Sequence, residues 1–162
     1  MTPKGLLDLP PRVTLSVRRC PRTIRTTLAA TAICLAVTVP AIAQQDAAIE
    51  AMQDYLMFAE ETAGIILPQQ IDQTVFENAL FVDTRSAAQH AEATIPGAVH
   101  IEWREVLDRI DEIPENRMTI LFCNTGARSS QATFALRVAG RTNVVVMQSG
   151  FDGWQEDAAY HP

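Results

Sequence analysis

The sequence predicts an α/β fold, a single domain with a mainly parallel sheet flanked by helices. Three observations predict it. Leu80-Phe81-Val82, Thr119-Ile120-Leu121-Phe122 and Val144-Val145-Val146-Met147 are short apolar runs without polar alternation, as strands buried on both faces are. Segments with helical spacing separate them, the pattern of strand-helix alternation. Each run also stops at residues able to do chemistry: Asp83, Cys123, and the Ser149-Gly150 turn. In parallel sheets, ligands bind beyond the carboxyl ends of the strands.

Residues 1–43 read as a cleaved secretory signal peptide and not as part of the fold. Arg12, Arg18, Arg19, Arg22 and Arg25 precede an uncharged, mostly apolar run from Leu28 to Val39, and Pro40 and the triplet Ala41-Ile42-Ala43 follow. This is the order of charged region, apolar region and small-residue cleavage site. The apolar run falls short of the roughly 20 residues a spanning helix needs. Arg18-Arg19 invites a twin-arginine reading, but Cys20-Pro21 and Arg22 stand where that signal wants apolar residues. General secretion to the periplasm is the expectation.

Cleavage after Ala43 leaves 119 residues, one domain's worth of chain. Residues 44–64 form an expected N-terminal helix packed on the domain: Ile49, Met52, Leu56, Ala59 and Ala63 recur at helical spacing, and Gly64 stops it. Residues 65–162 form the α/β domain. Ile65-Ile66-Leu67 reads as a short strand before Pro68, and Ile71 to Glu77 as a short helix. Trp103, Val106, Leu107 and Ile110 have helical spacing. So do Ala132, Ala135, Leu136 and Ala139, with Gly140 as C-cap and Ser129 or Ser130 as N-cap. After Trp154 there is room for only a short final helix.

Charge narrows the partners. Residues 44–162 keep seven of the thirteen basic residues, all arginine, and eighteen of the nineteen acids, a net of −11. A domain so acidic, without a basic stripe, excludes nucleic acid and anionic membrane surfaces as partners. An anionic substrate would need a local positive pocket. Cys20 and Cys34 fall in the leader, so Cys123 is the lone thiol of the expected mature chain and cannot form an internal disulfide. His90, His100 and His161 have no ligand spacing with one another or with Cys123, and no metal site is expected.

Cys123 opens the run Cys123-Asn124-Thr125-Gly126-Ala127-Arg128-Ser129 between a strand and a helix. Small residues with a Gly can curl so that successive N–H groups face inward, making an anion nest beside a helix N-terminus. A thiolate at its base is stabilised and its pKa lowered. Arg128 offers a planar fork of donors to an oxyanion. Asp83 and Arg85 read as a carboxylate and guanidinium that hold neighbouring loops by paired hydrogen bonds.

These residues resemble the rhodanese family of sulfurtransferases over most of the chain, from about Ile65 to Trp154. Cys123-Asn124-Thr125-Gly126-Ala127-Arg128-Ser129 is similar to the family's active loop, and Val82-Asp83-Thr84-Arg85 to its first strand-end signature. Ile95-Pro96-Gly97-Ala98-Val99-His100-Ile101 and Gly150-Phe151-Asp152-Gly153-Trp154 are similar to two further segments, in the family's order. Ala93-Thr94 replace the usual Gly-His, and His90 replaces an aromatic residue.

The resemblance implies a rhodanese-like domain in which Cys123 takes sulfane sulfur from a donor such as thiosulfate. A persulfide forms and passes its sulfur to a thiol or cyanide. Residues Asn124 to Ser129 would bind substrate, and no metal or organic cofactor is needed. A small sulfur anion or persulfide is the implied donor, and a periplasmic protein partner is compatible with it.

Two other classes compete. A non-catalytic persulfide carrier or binding module would use the same Cys123. A Cys-dependent phosphatase or arsenate reductase also sets a Cys and an Arg around an N–H cradle, but with five residues between them; Asn124 to Ala127 are four. The export expectation is checked by intact mass: protein from the periplasmic fraction should begin at Gln44. Recovery of the full-length chain in the cytoplasm would overturn it.

Overall fold

A computed structural model describes residues 41–162. The expected leader lies outside the described residues except for its last three. Five parallel strands form one sheet: β1 (Ile65–Ile66), β2 (Leu80–Asp83), β3 (Val99–His100), β4 (Thr119–Phe122) and β5 (Val144–Met147), in the order β1-β5-β4-β2-β3. The helices are α1 (Ala41–Phe58), α2 (Gln73–Asn78), α3 (Ala87–Glu92), α4 (Ala127–Val138) and α5 (Gly150–Asp157). Among the described residues no helix is long and apolar enough to cross a membrane.

The alternation of side chains along each strand divides the core into two. Phe81, Ile120, Phe122 and Met147 pack on one face with Ile71, Ile95, Phe151 and Trp154. Val82, Leu121 and Val144 pack on the other with Ile101, Val106, Ile113, Ala132 and Leu136. All four residues of β4 are buried, as its central place demands. Chain direction diverges beside it. From β2 the chain passes outward to β3, whereas from β4 it passes the opposite way to β5. The crevice beyond the ends of β2 and β4 is therefore the topological switch point, where such sheets bind ligands. Asp83 and Cys123 flank it.

Three local readings need correction. The N-terminal helix ends at Phe58, not at Gly64, and its apolar face is not buried: Leu56 is 68% exposed and Ile49 41%. Glu60 and Glu61 directly follow the helix, and carboxylates at the negative end of a helix dipole oppose its extension. Tyr55 docks it instead, edge-on to Phe134 and accepting a 3.0 Å hydrogen bond from Arg137 Nε.

Residues 103–109 form turns rather than an α-helix, followed by a 3₁₀ turn at Ile110–Glu112. Glu105, Glu112 and Ile113 each donate to the carbonyl three residues back, so winding is tight and only one side reaches the core. Val106 and Ile113 are buried there, while Leu107 is exposed.

The helix after the cysteine loop starts at Ala127, with Gly126 as N-cap at φ +91°. Ser129 and Ser130 lie inside its first turn and bond back to the carbonyls of Gly126 and Ala127. The C-terminus matches expectation in Gly140: its N–H bonds Arg137 O and that of Arg141 bonds Leu136 O, a Schellman closure.

The start of α5 braces the cysteine loop. Phe151 N donates to Cys123 O at 2.7 Å and Asp152 N to Asn124 O at 3.0 Å. Gly150, at φ +57°, brings its backbone so close that a Cβ there would clash with the Cys123 carbonyl oxygen. Gly150→Ala should therefore lower the melting temperature. Overpacking alone costs about 1–3 kcal/mol, and the left-handed backbone adds roughly 1–2 kcal/mol. An unchanged melt would mean that α5 does not brace the loop.

Candidate active site

Cys123 is the first residue past β4, with its side chain at the head of the switch-point crevice and only 5% of the residue exposed. Burial pushes its thiol up. The Ser129 hydroxyl and the backbone N–H groups of Ser129, Arg128 and Thr125 outweigh that, and the thiol titrates below its ordinary value. Ser129 Oγ lies 3.5 Å from the sulfur and 3.0 Å from Gly126 O. One hydroxyl proton serves both acceptors, so ionisation of the thiol draws it toward sulfur.

The early start of α4 follows from the same geometry. Arg128 and Ser129 are in the first turn, where backbone N–H groups lack helical partners. The sulfur takes the place of a side-chain cap.

A cavity of about 350 Å³ opens over the sulfur. Asn124, Thr125, Ala127 and Arg128 line it from the loop, and Arg85 and Gln89 from across the crevice. Arg128 is exposed on the first turn of α4. The other six arginines of residues 44–162 are bonded within the fold. Among the described residues Arg128 alone has no carboxylate or carbonyl partner.

Asp83 and Arg85 are buried together. Arg85 donates from Nε to Asp83 Oδ1 at 2.9 Å and from Nη2 to Oδ2 at 2.7 Å. Thr94 Oγ1 adds a 2.8 Å bond to Oδ2. Burial pushes the carboxyl up, but the bonds from Arg85 and Thr94 hold it below its ordinary value. Arg85 also donates to Ala93 O at 2.6 Å and Asn124 Oδ1 at 3.4 Å, and its guanidinium stacks 4.3 Å from the Phe151 ring centroid. One cation thus joins the end of α3, the cysteine loop and α5.

Sequence spacing missed several members of this neighbourhood. His90 and His100 are ten residues apart in sequence, yet their rings meet at a tilt with centroids 5.1 Å apart. His90 Nδ1 lies 3.3 Å from Asp83 Oδ2, and His100 Nε2 is 2.8 Å from Arg85 O. Gln89 lines the cavity too; the Ser86-x-x-Gln89 spacing is the local signal of a helix start, but it does not place the side chain beside Cys123. Among the described residues no three His, Cys, Asp or Glu side chains form a metal-binding group.

A buried thiol of lowered pKa at the switch point of a parallel sheet, beside an uncommitted arginine, marks the chain as an α/β protein with a candidate site at Cys123. The match to known families is narrower. Residues 67–157 match the Rhodanese-like domain model, more than half of the chain, and the chain belongs to the rhodanese family. It is 34% identical over 88 residues to a sulfurtransferase of Allochromatium vinosum, a match covering 54% of this chain and 80% of that protein. It is 31% identical over 90 residues to the thiosulfate sulfurtransferase GlpE of Pseudomonas entomophila, covering 56% of this chain and 83% of that protein. A rhodanese-related protein from Thermoplasma volcanium shares the fold at a TM-score of 0.53 and 20% identity, over 60% of this chain and 93% of that one.

The hydrogen bonds to sulfur make a pH prediction. A thiol whose folded value is depressed stays ionised, and so alkylatable, to lower pH than a free thiol. Ser129→Ala removes the hydroxyl that contributes most to that depression. The midpoint of iodoacetamide reactivity against pH should therefore move upward in the variant. An unmoved midpoint would assign the effect to the backbone alone.

Proposed function

We propose that the protein is a sulfurtransferase that moves sulfane sulfur from a donor such as thiosulfate to a thiol or cyanide acceptor through a persulfide on Cys123. The observation that carries this reading is the placement of the Cys123 sulfur between the end of β4 and the first turn of α4, 3.5 Å from the Ser129 hydroxyl and on the floor of a cavity lined by Arg128. The family of the chain and the names of its relatives support the same class of chemistry.

The cycle is balanced without a cofactor. The Cys123 thiolate attacks the outer sulfur of thiosulfate, forming a new S–S bond as the bond between the two thiosulfate sulfurs breaks. That electron pair leaves with sulfite, and Cys123 carries a persulfide anion. The N–H groups that hold the thiolate then hold the outer sulfur's charge. In the second half, a thiolate or cyanide attacks the outer sulfur, and its bond to Sγ breaks. The Cys123 thiolate returns, and the product is a persulfide or thiocyanate.

Arg128 is placed to meet the donor's oxygens. In a chain of net charge −11 over residues 44–162, a dianion approaches against a repulsive field, and binding is weak even in the native protein. The signal-peptide pattern supports a site of action in the periplasm.

Four measurements test the reading. Native protein treated with thiosulfate should gain the mass of one sulfur atom on Cys123 and lose it to cyanide. Cys123→Ser should fold normally and lose transfer; retained activity would sink the mechanism. Arg128→Ala should lower kcat/KM for thiosulfate about ten- to hundredfold, the loss of a charge-assisted hydrogen bond of roughly 1.5–3 kcal/mol. Aryl phosphate should be hydrolysed negligibly, and a phosphatase rate above the transferase rate would reverse the assignment.

A further inference from the structure

The cavity over Cys123 has a wall opposite Arg128 made by Gln89, half-buried on α3. Its orientation is fixed. The backbone N–H of Ser86 can only donate, and it faces Gln89 Oε1 at 3.4 Å, while Ser86 Oγ bonds the same oxygen at 3.1 Å. Gln89 N returns a bond to Ser86 Oγ, closing a reciprocal capping box at the start of α3. The amide oxygen is spent on Ser86. The Nε2 group, with two N–H donors, has no partner among the described residues.

Asn124 repeats the arrangement across the cavity. The Arg85 guanidinium donates to its Oδ1, so the NH₂ end of its amide is the free end. The cavity is thus lined by two arginines and by two amides whose oxygens are bonded elsewhere. No carboxylate lines it.

We infer that Gln89 is a specificity-determining residue, a neutral donor that selects sulfur donors bearing a sulfonate-type oxyanion over persulfides without one. This rests on the sulfurtransferase reading of the same site. A sulfonate group presents three oxygens around its sulfur, and the loop and Arg128 approach from one side only. Gln89 supplies hydrogen bonds from the other side without adding charge. A persulfide offers only sulfur, a weak acceptor, and gains little from the amide.

Gln89→Glu separates recognition from structure. Glutamate serves the capping box as glutamine does, so the melting temperature should stay unchanged. The cavity, however, loses a donor and gains a negative charge. The kcat/KM for thiosulfate should fall about tenfold or more, a charge-assisted bond being replaced by like-charge repulsion. Transfer from 2-hydroxyethyl persulfide, which lacks the sulfonate oxygens and carries less charge, should fall several-fold less than transfer from thiosulfate.

A second arm needs no turnover. Sulfite should slow alkylation of native Cys123, and Gln89→Glu should need about tenfold more sulfite for the same protection. Unchanged sulfite protection, or equal losses for thiosulfate and 2-hydroxyethyl persulfide, would overturn the inference. A native protein that binds sulfite but forms no persulfide with either donor would instead overturn the sulfurtransferase reading, leaving Gln89 as an oxyanion ligand.

Discussion

The site depends on a buried guanidinium. Arg85 is 7% exposed, and its charge is met by the carboxylate of Asp83, which is fully buried. Taking two such charges out of water is costly, and a buried pair is weak evidence for stability in itself. Its effect here is positional. Once Asp83 has neutralised the cation, the remaining donors reach Ala93 O and Asn124 Oδ1. Those two acceptors belong to the segment after α3 and to the cysteine loop. Neither segment has strand bonds to hold it at that point, and the phenyl ring of Phe151 closes the other face of the guanidinium.

The electrostatics of the whole domain give that neutralisation a further consequence. Arg85 is next to the sulfur cavity but shares its charge with Asp83. The lasting positive potential at the cavity comes from Arg128 and from backbone N–H groups. Committing the other arginines to carboxylates and carbonyls leaves the surrounding surface acidic. Within such a field, the cavity is the one place in residues 44–162 where an anion meets a free cation.

The sheet was legible in the sequence because its central strands are buried on both faces and so carry unbroken apolar runs. The position of the cysteine loop was legible for a different reason: small residues and a Gly directly after an apolar strand and before a helical segment mark a tight strand-to-helix turn. What failed is where tertiary contacts overrule local pattern. The Trp103–Ile110 spacing is helical, yet the backbone there winds in tight turns that bury Val106 and Ile113 and leave Leu107 out. Ser129 looked like a cap because it precedes an apolar helix. Its hydroxyl is used on sulfur, and the helix begins two residues before it. The tilted His90–His100 contact arises from pairing β3 beside β2, a register no local window contains, whereas the free amide of Gln89 follows from its capping box with Ser86.

A thiol that is almost wholly buried constrains how the proposed cycle reaches both a donor and an acceptor. In the proposed cycle the two halves need different reach. Capture of sulfur requires the small outer atom of the donor to enter the cavity, and the loop N–H groups meet it there. Formation of the persulfide then extends the side chain by one S–S bond, about 2.05 Å. That length sets the reactive atom one bond beyond Sγ within the cavity, where the loop N–H groups would still meet its charge. In that cycle an acceptor would need to reach only the outer sulfur in the cavity, while Sγ itself stays buried. The same hydrogen bonds serve both states only if the loop does not move, and the contacts from α5 to the Cys123 and Asn124 carbonyls are what keep it still.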